Sequence, residues 1–165
     1  MILKELLERS EYTLVQGSED VEISTLVYDS RKIEKGSVFV CISGAVSDGH
    51  TYIEQVAEKG AAAVIVEKDV EAPEGLTVIK VKDTRYALAM TSAAYFGYPA
   101  EKLKVIGITG TKGKTTTTYM VKSILEEVGI RVGLIGTIEA IIGDKSIPAN
   151  NTTPESYTIQ KYFAE

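Results

Sequence analysis

The sequence predicts an α/β fold built from two successive units, and three observations carry this prediction. Residues 61–67 form a short apolar run (A-A-A-V-I-V-E), which is typical of a strand buried on both faces of a parallel sheet. Apolar residues at helical spacing lie between such runs, as in Val121, Ile124, Leu125 and Val128. A glycine-rich segment joins one predicted strand to one predicted helix near residue 110. Strands that alternate with helices in this way favour layered α/β architecture.

Composition limits the class of protein. The 165 residues include 18 basic and 23 acidic side chains, a formal charge of −5 that disfavours a dedicated nucleic-acid binder. The single cysteine rules out an internal disulfide and a cysteine-rich zinc site, and favours a reducing, cytoplasmic setting. No apolar run approaches the ~18–20 residues that span a bilayer, and the first residues carry charges unlike a signal peptide. A cytoplasmic enzyme or binding domain without nucleic-acid or membrane partners is therefore expected.

The first unit is predicted from apolar spacing and from helix caps. Leu3, Leu6 and Leu7 favour a short opening helix. The elements predicted after it are strands at 25–28 and 37–42, a helix at 52–60, and strands at 61–67 and 76–81. A further helix, capped by Asp83 or Thr84, runs towards Gly97. We predict that this unit, residues 1–100, is a complete small Rossmann-like domain.

A second unit begins where Gly97 and Pro99 interrupt the helical pattern. The elements predicted in it are a strand at 105–109, a helix at 114–128, a strand at 131–135 and a hairpin at 138–147. A last helix follows, capped by Thr152 or Thr153, with Pro154 and Glu155 in its first turn. We interpret residues 101–165 as the incomplete start of a P-loop mononucleotide-binding domain.

The segment G-I-T-G-T-K-G-K-T at 107–115 carries the clearest chemical signal. Glycines allow backbone N–H groups to turn towards phosphate oxygens, and the following helix N-terminus favours anions. Lys114 would contact the β- and γ-phosphates, and the Thr115 hydroxyl would hold Mg²⁺. The segment departs from the strict spacing, since Ile108 occupies the position of the first glycine. The alternative to a phosphate-binding loop is a glycine-rich turn with incidental lysines. For Lys112, a solvated loop position is favoured over a catalytic role.

Two short polar motifs lie at predicted element ends in the first unit. Asp29-Ser30-Arg31 follows a strand and Asp48-Gly49-His50 precedes a helix, places where α/β domains put ligand contacts. Taken singly, Asp29 and Asp48 are more simply explained by local backbone hydrogen bonds and helix capping. His50 is interpreted as a capping or surface residue, because no metal-ligand pattern surrounds it. Cys41 lies in an apolar strand and is predicted to be a core residue.

Taken in order, these motifs resemble the Mur ligase family. The motifs are D-S-R (29–31), G-S-V-F-V (36–40), D-G-H-T-Y-I (48–53), G-A-A-A-V (60–64), T-G-T-K-G-K-T-T-T-T (109–118) and N-T-T-P-E-S (151–156). The last two are most similar to the UDP-N-acetylmuramoyl-tripeptide synthetases of that family. The resemblance covers essentially the whole of this chain, which corresponds to the amino-terminal portion of these larger enzymes.

The resemblance implies an ATP-dependent ligase of peptidoglycan synthesis. Such enzymes join UDP-N-acetylmuramoyl-L-alanyl-D-glutamate to a diamino acid through an acyl phosphate, with ATP and Mg²⁺. By position, the implied uridine-nucleotide contacts are Tyr28, Ser30, Ala45, Val46 and Ser47. The implied ATP loop is Gly110, Thr111, Lys112, Gly113, Lys114, Thr115 and Thr116, with Lys114 and Thr115 catalytic and Thr115 on the metal. Asn151, Thr152 and Thr153 match residues that hold the muramoyl peptide near the γ-phosphate.

Three functions are compatible with these motifs to different degrees. The first is the ligase, here as an amino-terminal portion, because the family's amino-acid-binding domain and carbamylated lysine would lie beyond Glu165. We therefore expect a truncated form that cannot complete the reaction alone. The second is a non-catalytic module that binds a UDP-sugar, ATP or both. The third, a kinase or GTPase, is disfavoured because the guanine-specific N-K-x-D segment is absent from the sequence.

Overall fold

A computed structural model describes residues 1–44, 47–149 and 153–165. The chain divides into two compact units, Met1–Tyr98 and Pro99–Glu165. Each unit has its own sheet and its own helices, so each is described by itself.

The described residues of the first unit contain a twisted sheet with helices on both faces. In chain order the elements are α1 (Leu3–Leu6), β1 (Thr13–Gln16), β2 (Leu26–Val27), β3 (Val38–Val40), α2 (Ile53–Glu58), β4 (Ala63–Val66), β5 (Thr77–Lys80) and α3 (Thr84–Tyr95). The strand order is β1-β5-β4-β3-β2. Strands β2 to β5 are parallel, and β1 pairs antiparallel with β5 at one edge. The predicted α/β class is therefore confirmed.

Alternation along the central strands divides the core between the two faces of this sheet. Phe39, Val64 and Val78 pack with Ile53 and Val56 of α2 in one buried cluster. The intervening residues of the same strands are also buried, and α3 packs over β2, β3 and β4. Successive strand residues point to opposite faces of the sheet, and both faces are covered by helices. Most residues of these strands are therefore apolar, which explains the continuous apolar runs in the sequence.

Helix α3 begins where the sequence predicts a cap. The Asp83 carboxylate accepts hydrogen bonds from the backbone N–H groups of Arg85 at 2.8 Å and Tyr86 at 3.0 Å. These bonds satisfy two donors that a helix N-terminus leaves free. Of the two residues considered, Asp83 is thus the cap and Thr84 is the first helical residue.

The second unit, in its described residues 99–149 and 153–165, contains a small antiparallel sheet and two α-helices of 14 and 9 residues. Its elements are α4 (Lys114–Glu127), β6 (Leu134–Ile135), β7 (Glu139–Ile142), β8 (Lys145–Pro148) and α5 (Ser156–Ala164), with strand order β6-β7-β8. The predicted hairpin forms, and its turn carries Gly143 at φ +56°. Helix α5 begins later than predicted: Glu155 is its cap residue, so Pro154 and Glu155 lie outside the first turn.

The strand predicted at 105–109 does not form. Val105 and Ile106 are 57% and 61% exposed, and among the described residues no strand pairs with this segment. A parallel strand needs a neighbour to accept and donate its backbone hydrogen bonds, and apolar composition alone does not supply one. The prediction of a strand at this place was therefore wrong.

Candidate functional site

Polar residues that follow three parallel strands lie together at the edge of the first unit's sheet where the carboxyl ends of these strands meet. Tyr28 and Ser30 follow β2, Ser43 follows β3, and Glu67 follows β4. Because these strands are parallel, their carboxyl ends lie side by side. Open α/β sheets place ligands at this edge. The predicted uridine-nucleotide contacts Tyr28 and Ser30 are half-buried there, while Ser47 is exposed. Predicted contacts Ala45 and Val46 lie outside the described residues.

The D-S-R motif is a locally rigid turn. The Asp29 carboxylate accepts from the Arg31 side chain through Nε at 2.8 Å and a terminal nitrogen at 2.7 Å, and also from the Arg31 backbone N–H. The guanidinium hydrogen bonds hold the pKa of Asp29 at about 2. Asp29 therefore caps the short 3-10 turn that contains Ser30, as the sequence predicts, and fixes the backbone of a predicted substrate contact.

The D-G-H motif makes longer-range contacts than its sequence indicates. Asp48 accepts from the His50 backbone N–H at 3.0 Å, so it caps the short 3-10 turn Gly49–Tyr52 that leads into α2. The predicted cap is therefore confirmed for this turn and not for α2 itself, whose cap residue is Tyr52. Its carboxylate also contacts His50 Nδ1 at 2.6 Å and Lys68 Nζ at 2.5 Å. Lys68 and His50 together lower the pKa of Asp48 well below its ordinary range. The His50 side chain is only 6% exposed, so the interpretation of His50 as a surface residue was wrong.

Glu67 is the residue at this edge that sequence reasoning missed. Its carboxylate accepts hydrogen bonds from the Ser43 hydroxyl at 2.6 Å and from the Thr84 backbone N–H and hydroxyl at 2.9 and 2.7 Å. Its own backbone N–H donates to His50 Nε2 at 3.1 Å. The Ser43 and Thr84 hydrogen bonds lower the pKa of Glu67 to about 2, since they favour the charged carboxylate. Glu67 thus joins the end of β3, the D-G-H motif and the start of α3.

We expect Glu67 to make the first unit sensitive to acid. The pKa in the folded chain is about 2, below the ordinary value of 4.5. The carboxylate therefore stabilises the fold above pH 4.5, and this contribution is lost as the pH falls from 4.5 towards 2. Glu67→Gln keeps the side-chain shape but does not titrate. Urea unfolding at about pH 7 and about pH 3 should show a smaller acid-induced loss of stability in Glu67→Gln than in the parent chain.

Asp29 and Asp48 titrate in both the parent chain and the Glu67→Gln variant. The difference between the acid-induced losses of stability of these two proteins therefore reports on Glu67. Equal acid losses in Glu67→Gln and the parent would contradict the assigned hydrogen bonds.

Cys41 takes no part in the chemistry of this edge. Its side chain is fully buried, and burial raises the pKa of the thiol to about 12. A thiol that stays protonated is a poor nucleophile. The prediction of a core role for Cys41 is confirmed.

The glycine-rich loop of the second unit leads directly into α4. Gly113 precedes the helix with φ +79°, a left-handed conformation that favours glycine. Lys114 is the first helical residue, and its Nζ donates to the Gly110 carbonyl at 2.6 Å. Thr115 follows it, half-buried in the first turn. The predicted ATP-loop residues thus come together around one helix N-terminus, the arrangement that binds phosphate groups.

One threonine of the run at the start of α4 has a structural explanation. The Thr118 hydroxyl donates to the backbone carbonyls of Lys114 and Thr115, both at 2.8 Å. Such bonds to a preceding turn satisfy the hydroxyl within the helix. This contact explains Thr118 without a ligand.

The other predicted contacts are placed only in part. Thr153 is exposed, and Asn151 and Thr152 lie outside the described residues. Among residues 1–44, 47–149 and 153–165, no cluster of three or more His, Cys, Asp or Glu side chains could hold a metal ion. In the same ranges, no helix has the length and apolarity needed to cross a bilayer.

Comparison with protein families matches both units. Residues 22–96 match the profile of the "Mur ligase family, catalytic domain" and residues 108–165 match that of the "Mur ligase middle domain". A curated relative from Clostridium perfringens, named UDP-N-acetylmuramoyl-L-alanyl-D-glutamate--2,6-diaminopimelate ligase, is 51% identical over 163 residues. That match covers 99% of this chain and 34% of the relative. The chain therefore spans about a third of the length of the curated relatives it matches.

Solved structures share the fold. A UDP-N-acetylmuramoyl-L-alanyl-D-glutamate--2,6-diaminopimelate ligase structure superposes with a TM-score of 0.74 at 21% identity, covering 99% of this chain and 33% of that chain. A MurF ligase from Thermotoga maritima in complex with ADP gives a TM-score of 0.54 at 22% identity, covering 87% of this chain and 29% of that chain. At such identities the likeness supports the α/β fold alone.

Proposed function

Since this chain belongs to the Mur ligase family, we propose that it is the nucleotide-binding portion of an ATP-dependent peptidoglycan ligase. The whole ligase adds a diamino acid to UDP-N-acetylmuramoyl-L-alanyl-D-glutamate. Diaminopimelate is the proposed amino acid, because it is the one named in the relatives at 45–51% identity. The reaction is placed in the cytoplasm, where ATP is available to it.

The first unit is proposed to bind the uridine nucleotide. Tyr28 and Ser30 supply contacts after β2, and residues 45–47 supply a second set after β3. The observation that supports this assignment is the convergence of three parallel strand ends on one polar edge. Residues 1–100 form the proposed uridine-nucleotide domain, and residues 101–165 form the start of the ATP-binding domain.

The second unit is proposed to bind ATP through residues 110–116. The single observation that carries the proposal is the Gly113-Lys114-Thr115 sequence at the N-terminus of α4, with a glycine φ of +79° and a lysine amine turned back over the loop. Backbone N–H groups and the Lys114 amine would neutralise the phosphate oxygens. Asn151, Thr152 and Thr153 are proposed to hold the muramoyl peptide nearby.

Magnesium fits the residues present. Mg²⁺ in nucleotide sites takes one or two protein ligands and completes its shell with phosphate oxygens and waters. The Thr115 hydroxyl, in the first turn of α4, is the proposed protein ligand. When bound, the ion would neutralise charge on the transferred phosphoryl group.

The proposed chemistry requires no protein nucleophile. The substrate carboxylate attacks the γ-phosphorus of ATP, which gives an acyl phosphate and releases ADP. The amine of the diamino acid then attacks the acyl carbon, loses a proton and releases phosphate. Lys114 and the loop N–H groups act by positioning and charge neutralisation, which supply most of the catalysis in phosphoryl transfer.

Calorimetry on the 165-residue chain tests this proposal. We expect UDP-N-acetylmuramoyl-L-alanyl-D-glutamate and Mg²⁺-ATP each to bind once, and each to bind in the presence of the other. Binding of both ligands without turnover, when diaminopimelate is added, would fit the nucleotide-binding module for these residues. Formation of an ATP-dependent tripeptide product would instead assign ligation to the chain itself. If neither nucleotide binds, the proposal is wrong and only the fold remains.

A further inference from the structure

Glu67 contacts the chain just before Gly44 and again just after Ser47, the two described residues that flank positions 45 and 46. On one side, its Oε1 accepts from the Ser43 hydroxyl at 2.6 Å. On the other side, its backbone N–H donates to His50 Nε2 at 3.1 Å. Glu67 itself directly follows β4, whose four residues are all buried. Both tethers therefore attach residues that flank positions 45 and 46 to a buried strand.

The described residues on either side of positions 45 and 46 are also joined to each other. The Gly44 backbone N–H donates to the Ser47 carbonyl at 3.0 Å, and Ser43 and Asp48 form an isolated antiparallel bridge. The Ser47 hydroxyl lies 3.4 Å from the Tyr52 hydroxyl. A displacement at either tether would therefore move Gly44 and Ser47.

The His50 ring uses both nitrogens. Because Nε2 accepts from a backbone N–H, the ring proton must lie on Nδ1, where it donates to Asp48 at 2.6 Å. The side chain is 6% exposed, so water cannot readily replace either partner. Two amide side chains can each replace one of these contacts. Asparagine can supply the donor to Asp48 in place of Nδ1–H, and glutamine can supply the acceptor for the Glu67 N–H in place of Nε2.

We infer that His50 and Glu67 are positioning residues that hold Gly44 and Ser47 in their ligand-binding arrangement and so set the affinity for the uridine nucleotide without contacting it. The inference rests on the proposed function, since it takes Ser47 to be part of the uridine-nucleotide site. Residues held in their bound geometry lose less conformational entropy when ligand binds, and released residues lose more.

Affinity measurements on His50 variants test this inference. Binding of UDP-N-acetylmuramoyl-L-alanyl-D-glutamate and of Mg²⁺-ATP is measured by calorimetry on the 165-residue chain, well below its unfolding temperature. His50→Ala removes both contacts, His50→Asn keeps only the donor to Asp48, and His50→Gln keeps only the acceptor for Glu67. Asp69→Asn is the matched control, because the Asp69 side chain lies in the same loop as Glu67 and is 95% exposed.

We expect His50→Ala to weaken the UDP-sugar at least tenfold with Mg²⁺-ATP affinity unchanged. His50→Gln should recover part of the loss, since it restores the tether to Glu67, and Asp69→Asn should bind as the parent does. General destabilisation of the chain would not produce a recovery in His50→Gln, nor a loss of affinity for the UDP-sugar with an unchanged affinity for Mg²⁺-ATP.

The opposing outcomes are distinct. A folded His50→Ala chain that binds the UDP-sugar like the parent overturns the inference and leaves the proposed function standing. A parent chain that binds no UDP-sugar overturns the proposed function and the inference with it. If the His50 variants do not fold, Ser43→Ala removes the other tether alone. A several-fold weaker UDP-sugar affinity in that variant supports the inference, and an unchanged affinity overturns it.

Discussion

Replacing Lys114 with alanine is expected to weaken binding of Mg²⁺-ATP by about 10- to 100-fold and to leave the affinity for the UDP-sugar unchanged. A hydrogen bond to a charged group is worth about 1.5–3 kcal/mol, and each ~1.4 kcal/mol corresponds to a tenfold change in affinity. In the proposed complex, the phosphate oxygens carry that charge. The loss should therefore fall within this range.

The position of Lys114 is the reason for expecting so large an effect from one side chain. Lys114 Nζ lies 2.6 Å from the Gly110 carbonyl, so the amine already spans the loop in which the phosphates are proposed to bind. The helix N-terminus adds backbone donors at the same place, but an uncharged alanine cannot replace the positive charge. Lys114→Arg keeps the charge with a different shape and should lose less affinity than Lys114→Ala.

Calorimetry with each nucleotide separately measures the effect, and Lys122→Ala is the matched control. Lys122 lies on the same helix and pairs with Glu126 at 2.5 Å, away from the loop. The Lys122→Ala chain should bind Mg²⁺-ATP as the parent does. A Lys114→Ala chain that lost both nucleotides together would contradict the assignment of the two nucleotides to separate sites.

The sequence predicted the sheet of the first unit best where strands are buried on both faces. Residues 63–66 and 77–80 are almost wholly buried, so their apolar runs stand out from the surrounding polar chain. Strand β1 was missed because its residues are largely exposed and it exists only through pairing with β5. The opposite error at 105–109 has the same origin, since an apolar run becomes a strand only when a neighbour pairs with it.

The candidate site was predictable in its local parts and hidden in its long-range parts. Caps at Asp29 and Asp48 follow from residue type and position, because the bonds join residues two apart. The contacts of Glu67 with His50 and Thr84 span 17 residues each, and no local pattern indicates them. Only the topology, which brings the end of β4 beside the end of β3, creates this network.

Gly49 of the D-G-H motif has a steric role that leads to the second large effect. A Cβ on Gly49 would lie 2.7 Å from the Ile42 backbone nitrogen and 2.9 and 3.0 Å from Cα and the carbonyl carbon of Cys41. All three are backbone atoms at the end of β3, which cannot move away as a flexible side chain can. The Gly49 backbone N–H also donates to the Ile42 carbonyl at 2.9 Å, and the clash would break this bond.

Gly49→Ala is therefore expected to lower the free energy of unfolding of the first unit by about 3 kcal/mol, the upper range for an added methyl in a packed interior. Urea denaturation followed by circular dichroism measures the change.

Gly75→Ala is the control, because Gly75 has φ +88° and a methyl group added there would meet no heavy atom within 4 Å beyond its chain neighbours. Alanine at that position therefore shows the cost of a positive φ without a clash, about 1–2 kcal/mol. Gly49 has no positive φ, so a loss in Gly49→Ala would come from the clash alone. Because Gly49 adjoins Asp48 and His50, Gly49→Ala should also weaken the UDP-sugar, whereas Gly75→Ala should not. A Gly49→Ala chain within about 0.5 kcal/mol of the parent would show that the close approach to β3 does not exist.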